Sequence, residues 1–252
     1  MNSNLLLTVD QQPISVVQAL KHLQSSGKLQ PFIGEILRQY TLERELQDYP
    51  GLDIDPALVE QQVIEFRLEQ QLTNPNKFQE WLASNGMDYA TFHNQVVRGF
   101  KLAKLKTLVT EPKLTTYFIE QKLFLDKVIL SRIVVAQREL ALELQSQIEE
   151  GTRFEQLAQE YSLADDRIVN GMMGPVSRGN MPDVVRAAMD AAHPGDLVGP
   201  IELEGRWYLF QVEQFLPASL AGQLQQELQE QLFEQWLTAK IQKMQVKMEV
   251  SS

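Results

Sequence analysis

The chain contains no cysteine and only three histidines. Without thiols it has no disulfide, no cysteine-ligated zinc, no iron–sulfur cluster and no thiolate nucleophile. His22, His93 and His193 are far apart in sequence and show no metal-ligand spacing. A zinc enzyme is not expected, and a Ser–His–Asp hydrolase would have few candidates for its base. Asp165 and Asp166 are adjacent carboxylates, but sequence neighbours do not face each other, so no acid–base pair is read from them. Neither a metal nor a cofactor is expected. The chain also lacks any run approaching the ~20 apolar residues of a membrane span. Its first ten residues carry no basic n-region and only the short apolar run Leu5 to Leu7, which is not the pattern of a signal peptide. These absences lead to an expectation of a cytoplasmic protein, extracytoplasmic only if the N-terminus is incomplete. Positive charge is in deficit: 23 Lys and Arg stand against 33 Asp and Glu, a net charge of −10. That field repels phosphate backbones, and the densest basic run (Lys101, Lys104, Lys106) is short, so nucleic acid is not an expected partner.

The chain has 252 residues, 44% of them apolar, enough to bury one or two cores. Its first half reads as successive helices. Leu5 to Val9 suggests a short strand or extended lead-in. Ser15 is placed to cap a helix carrying Val16, Val17, Leu20 and Leu23. A helix from about Pro31 follows, and Pro50-Gly51 stops it. Asp55-Pro56 and Asn74-Pro75 each pair an N-cap with proline at the first helical position. Asn85-Gly86 is a helix stop. Asp88 opens a longer helix, and Glu111-Pro112 is expected to start another.

At Lys127 the texture changes. Val128-Ile129-Leu130 and Ile133-Val134-Val135 read as a strand. Two helices follow, with Leu140, Leu144 and Ile148 on the first and Phe154, Leu157 and Tyr161 on the second. Residues 164–182 read as loop, and a short helix spans Val184 to Met189. Strands from Leu197 to Leu203 and from Trp207 to Val212 form a hairpin around Glu204-Gly205. A last helix over 219–248 repeats Leu220, Leu224, Leu228, Leu232 and Trp236, then Leu237, Ile241, Met244 and Met248. Its wrapping apolar face needs a large partner, and the early helices are the natural one. The expected fold class is α+β: a discontinuous helical domain of residues 1–124 and 217–252, with an α/β domain of residues 125–216 inserted between the two pieces.

The segment from 127 to 215 resembles the parvulin family of peptidyl-prolyl isomerases. The resemblance is carried by Leu130-Ser131-Arg132-Ile133-Val134, by Gly151-Thr152-Arg153-Phe154 through Tyr161-Ser162, and by Gly171-Met172-Met173-Gly174. It continues through Arg178-Gly179-Asn180-Met181, Pro194-Gly195-Asp196-Leu197-Val198-Gly199-Pro200-Ile201 and Trp207 to Val212. Thr8-Val9-Asp10-Gln11-Gln12-Pro13-Ile14-Ser15 and the helices after it resemble the SurA-type chaperone module that surrounds parvulin domains in SurA- and PrsA-like foldases.

The resemblance implies a cleft that grips proline. The family's two histidines fall on Arg132 and Tyr208, its Cys/Asp on Ala164 with Asp165 beside it, and its Phe on Val185. Its Met is retained as Met181, and its Gly-Gly pair is Asn170-Gly171. By the resemblance, the catalytic candidates are Tyr208, Arg132 and Asp165, and the substrate-binding candidates are Met181, Val185, Met189 and Ala164. Arg132 either grips a carboxylate or carbonyl or is paired with Asp165 or Asp166. Arginine stays charged at any relevant pH and cannot replace a neutral imidazole. The expected function is therefore a chaperone-foldase for unfolded, nascent or proline-containing polypeptides, with isomerase activity weak or lost. The alternatives are a fully active isomerase and a non-catalytic accessory dedicated to one client. Oligomeric state is left open.

Overall fold

The structure is a computed structural model and describes residues 5–247. Met248, expected at the end of the last apolar stripe, lies outside the described residues. The described chain divides into two units, residues 5–114 with 226–247, and residues 115–225.

The first unit opens with a hairpin of β1 (Leu5–Val9) and β2 (Gln12–Ser15). Asp10 and Gln11 both take positive φ, the conformation a two-residue turn needs to match strand twist. The second strand was not expected, because Pro13 interrupts a four-residue segment. Ser15 then caps α1 (Val16–Ser25) in a full capping box with Gln18. No residue of α1 is buried, so that helix owes little of its stability to a core. α2 (Leu29–Asp48) follows, then α3 (Pro56–Glu69) and α4 (Pro75–Ser84), the last two capped by the side chains of Asp55 and Asn74.

The expected restart at Pro112 does not occur. α5 runs unbroken from Tyr89 to Leu125 with Pro112 inside it. Proline removes one helical hydrogen bond and crowds the preceding turn. Here Val109, Thr110 and Leu114 are buried on either side of it, and the Thr110 hydroxyl donates to the Lys106 carbonyl at 2.8 Å. Packing on both flanks holds the helix through the gap.

Two cores serve this unit. Val63, Phe78, Leu82 and Phe92 join α3, α4 and the start of α5. Leu42, Leu46, Leu52, Leu105 and Val109 pack with Phe233 and Leu237 of α9 (Gly222–Gln242), the last helix and shorter than the expected 219–248. Ion pairs reinforce that contact: Arg38 with Glu234, Lys240 with Glu45 at 2.8 Å, and Lys106 with Glu230.

The second unit is a four-stranded antiparallel sheet with order β4-β3-β6-β5. Its strands are β3 (Lys127–Val135), β4 (Met172–Ser177), β5 (Leu197–Leu203) and β6 (Arg206–Leu216). β4 falls in the stretch expected to be loop. Gly174 and Pro175 hide it from a propensity reading, but an edge strand tolerates proline because one row of its amides is unpaired. One sheet face packs on α6 (Arg138–Glu149) and α7 (Phe154–Tyr161) through Ile133, Val135, Leu144, Leu157 and Leu209. The other packs on α8 (Asp183–Asp190) through Val128, Leu130, Val185, Met189, Phe210 and Val212. Among the described residues no helix is long and apolar enough to cross a membrane.

Candidate functional site

Strand alternation puts Leu130, Arg132 and Val134 of β3 on one face, paired across the ladder with Val212, Phe210 and Tyr208 of β6. α8 covers part of that face and leaves a hollow of about 410 Å³ beside it. Met181, Pro182 and Val185 supply its far wall, Met173 and Val176 one side, and Leu203 and Glu204 the rim. Tyr208 and Phe210 lie nearly parallel, with centroids 5.8 Å apart and planes 18° apart, and form an aromatic floor. The site thus combines an apolar bed with one phenol, one guanidinium, one carboxylate and the Asn180 amide.

Of the expected residues, Arg132, Met181, Val185 and Tyr208 line this single hollow. Three others do not. Met189 is one helical turn beyond Val185, faces the sheet and is buried in the core, out of reach of a ligand. Ala164 caps a short 3-10 turn and is fixed from below, because the buried Ser162 hydroxyl accepts hydrogen bonds from the amides of Val134 (3.1 Å) and Ala164 (3.3 Å). Asp165 is exposed. The carboxylate that meets Arg132 is Asp166, whose Oδ2 accepts from Arg132 Nε at 2.7 Å. Asp166 Oδ1 is buried and has no hydrogen-bond partner among the described residues. The guanidinium is therefore held at Nε by Asp166, and the arginine lines the hollow.

Two glycines back the site. A Cβ on Gly171, at φ +79°, would stand 2.4 Å from the Arg132 carbonyl oxygen. One on Gly199, at φ +120°, would stand 2.5 Å from that of Tyr208. Each key side chain therefore comes from a strand residue that a neighbouring backbone approaches too closely for any other residue type. The Phe210 floor follows from alternation two residues past Tyr208. Asp166 had no sequence signal to rank it above Asp165.

The strand that carries Arg132 is anchored at its start by Asp126, which is buried. Asp126 Oδ1 accepts from Lys122 Nζ at 2.9 Å and from the Ala218 amide at 2.8 Å. Burial alone would raise this carboxyl. The hydrogen bonds from Lys122 and Ala218, with the charges of Lys122 and Arg178, outweigh it and hold the carboxyl below its ordinary value. A depressed folded pKa adds stability that is fully present above the unfolded value of about 4 and is lost as pH falls through the folded one. Asp126→Asn should therefore destabilise the second unit at neutral pH, and the gap from the parent should close on acidification. Denaturant melts across pH test this; a gap independent of pH would refute it.

Among the described residues no group of three or more His, Asp or Glu side chains is placed to hold a metal. The apolar hollow on a parvulin-like sheet defines a class. Residues 133–214 match the family of PPIC-type PPIase domains, the rotamases, and the chain carries a parvulin-type peptidyl-prolyl isomerase domain there.

The chain is 25% identical to Foldase protein PrsA 2 of Listeria monocytogenes over 182 residues, 71% of this chain and 60% of the relative. It thus spans less than two thirds of that relative's length. Among solved structures, a peptidylprolyl isomerase (PrsA) from Bacillus cereus aligns over 99% of this chain and 96% of its own, at 19% identity and TM-score 0.43. A pair of SurA-like chaperones from Campylobacter jejuni, PEB4 and the periplasmic protein Cj1289, is represented by a chain aligning over 97% of this one and 100% of its own, at 14% identity and TM-score 0.39. The cytoplasmic placement expected from the first ten residues is corrected by these relatives, since PrsA and SurA proteins are extracytoplasmic or periplasmic chaperones. Met1 to Asn4, part of the stretch on which that expectation rested, lie outside the described residues.

Proposed function

We propose that the chain is a chaperone-foldase of the parvulin/SurA type that binds unfolded, nascent or proline-containing polypeptide and isomerises X–Pro bonds weakly. We assign the client-holding role to a helical body of residues 1–124 and 217–252 and the proline cleft to residues 125–216. One observation supports the cleft above all others: Met181, Val185, Tyr208 and Arg132 line one apolar hollow inside the PPIC-type domain.

The chemistry explains why turnover is weak. Rotation about an X–Pro amide crosses a barrier of about 18–20 kcal/mol set by C–N double-bond character. Catalysis must favour the twisted state, in which resonance is lost and the nitrogen becomes pyramidal. An apolar bed disfavours the charge-separated planar amide, and a donor aimed at the nitrogen favours the twisted one. The Tyr208 hydroxyl can supply that donor. A guanidinium bound to the carbonyl oxygen does the opposite, because it stabilises the planar resonance form. Arg132 therefore positions the chain more than it accelerates rotation.

Exchange NMR on proline peptides tests the proposal. The parent should raise the exchange rate modestly. Met181→Ala should weaken binding about five- to ten-fold through loss of apolar contact. Tyr208→Phe should cut the catalysed rate about two- to ten-fold, the worth of one hydrogen bond, with binding retained. If neither variant changes exchange while folded spectra persist, chemistry does not occur in this hollow. If the parent binds without catalysis, the accessory reading stands instead.

A further inference from the structure

The wall of the proline cleft that carries Asn180 and Met181 is one short 3-10 turn, Arg178–Asn180, between β4 and α8. Such a turn makes few bonds of its own, and here the Met181 amide reaches the Arg178 carbonyl only at 3.4 Å. α8 steadies it in part: Arg178 pairs with Asp190, and the Arg186 guanidinium donates to the Met181 carbonyl at 3.5 Å. The junction of α5 with β3 supplies the other supports. The Phe124 carbonyl accepts from the Ser177 hydroxyl at 2.7 Å, and the Asp126 carbonyl accepts from the Arg178 amide at 3.0 Å. The Phe124 ring lies against Gly179, where an added Cβ would overlap Cγ, Cδ1 and Cε1 of the ring.

Gly179 is not among the residues with positive φ, so its backbone conformation does not call for glycine. What calls for it is the space taken by the ring. Phe124 in turn is 53% exposed and belongs to none of the buried clusters, so filling a core does not explain it. A half-exposed phenylalanine and a turn residue without a side chain thus fit one another, two residues before Met181. Phe124 also precedes the matched family segment, which begins at 133.

We infer that Phe124 is a positioning residue for the cleft: its ring, seated on Gly179, sets where Met181 stands in the hollow. The two hydrogen bonds from the α5–β3 junction hold the start of the turn, and the ring holds its middle. The gripping surface is therefore completed from outside the family segment, by the last turn of α5. The inference rests on the reading of the hollow as a proline cleft.

The test uses the full chain, methyl-labelled at methionine, and the end-blocked peptide Ala-Leu-Pro-Phe. In the free parent the Met181 methyl should show nuclear Overhauser contacts with the rings of Tyr208 and Phe210, and peptide binding should shift that methyl. Phe124→Ala should weaken those contacts and loosen peptide binding about three- to ten-fold, while the protected amides of β3 and β6 keep their exchange rates. Phe124→Tyr, which keeps the ring, should restore both. Gly179→Ala should cost about as much as Phe124→Ala. Added to Phe124→Ala it should cost nothing further, because its methyl enters space the ring has left. Unchanged contacts and binding in Phe124→Ala overturn the inference. So do additive losses in the double variant, or a loss of binding matched by lost protection in β3 and β6. A peptide that never shifts the Met181 methyl of the parent overturns the proline reading of the hollow instead, and the Overhauser contacts of the free chain still decide the role of Phe124.

Discussion

Replacing Phe233 with alanine is expected to destabilise the helical unit by about 3–5 kcal/mol, the range for truncating a buried aromatic residue. Phe233 is the largest of the fully enclosed side chains and sits where α2, α5 and α9 meet. It touches Leu105 and Leu237, themselves essentially inaccessible, and stacks on Trp236. The cavity it would leave is walled by three helices held by ion pairs, so the surroundings cannot easily collapse into it. Native-state hydrogen exchange is the right measurement, because a chain with two units has no single unfolding free energy. Protected amides of α2, α5 and α9 should lose protection together, while those of β3 and β6 keep theirs. A loss below about 1 kcal/mol would mean that these three helices do not share one core.

Gly171→Ala is expected to damage the proline cleft more than any substitution on its surface. The left-handed backbone of Gly171 costs a residue with a Cβ roughly 1–2 kcal/mol, and displacing a packed neighbour adds about 1–3. The neighbour is the Arg132 carbonyl, and the Arg132 amide donates to the Gly171 carbonyl at 2.8 Å. Any relief of the clash therefore moves the strand residue that presents the guanidinium. Stability of the second unit should fall, and the Arg132 and Tyr208 resonances should shift in NMR spectra. If Gly171→Ala leaves both peptide binding and those resonances unchanged, the close approach does not govern the cleft.

Much of the fold was legible because its signals are local. Ser15, Asp55 and Asn74 cap helices for chemical reasons that need no tertiary context, and Glu204-Gly205 turns a hairpin because both residues accept positive φ. What escaped was decided at a distance. Met172 to Ser177 is a strand because β3 offers it a ladder, despite Gly174 and Pro175. Pro112 sits within one helix because buried neighbours on both sides outweigh a missing hydrogen bond. The same division holds at the site. Alternation along β6 separates Tyr208 from Trp207 from sequence alone, whereas the meeting of Arg132 with Tyr208 and Phe210 on one face follows from the register of β3 with β6. The preference of Arg132 for Asp166 over Asp165, and the burial of Met189 below the hollow, depend on how a 3-10 turn and a short helix pack on the sheet.

The register of β3 with β6 has one further consequence. Lys127, where the strand-bearing segment begins, is paired with Leu216, where it ends. Partners on adjacent antiparallel strands have Cα atoms roughly 5 Å apart. A segment whose doorway is also its exit can be spliced into a host polypeptide, or cut from it and its ends rejoined, without its own ladder being disturbed. Such a cassette can be exchanged between carriers as a whole, leaving the histidine-less cleft of this chain free to diverge while the helices on either side of the splice keep their pairing.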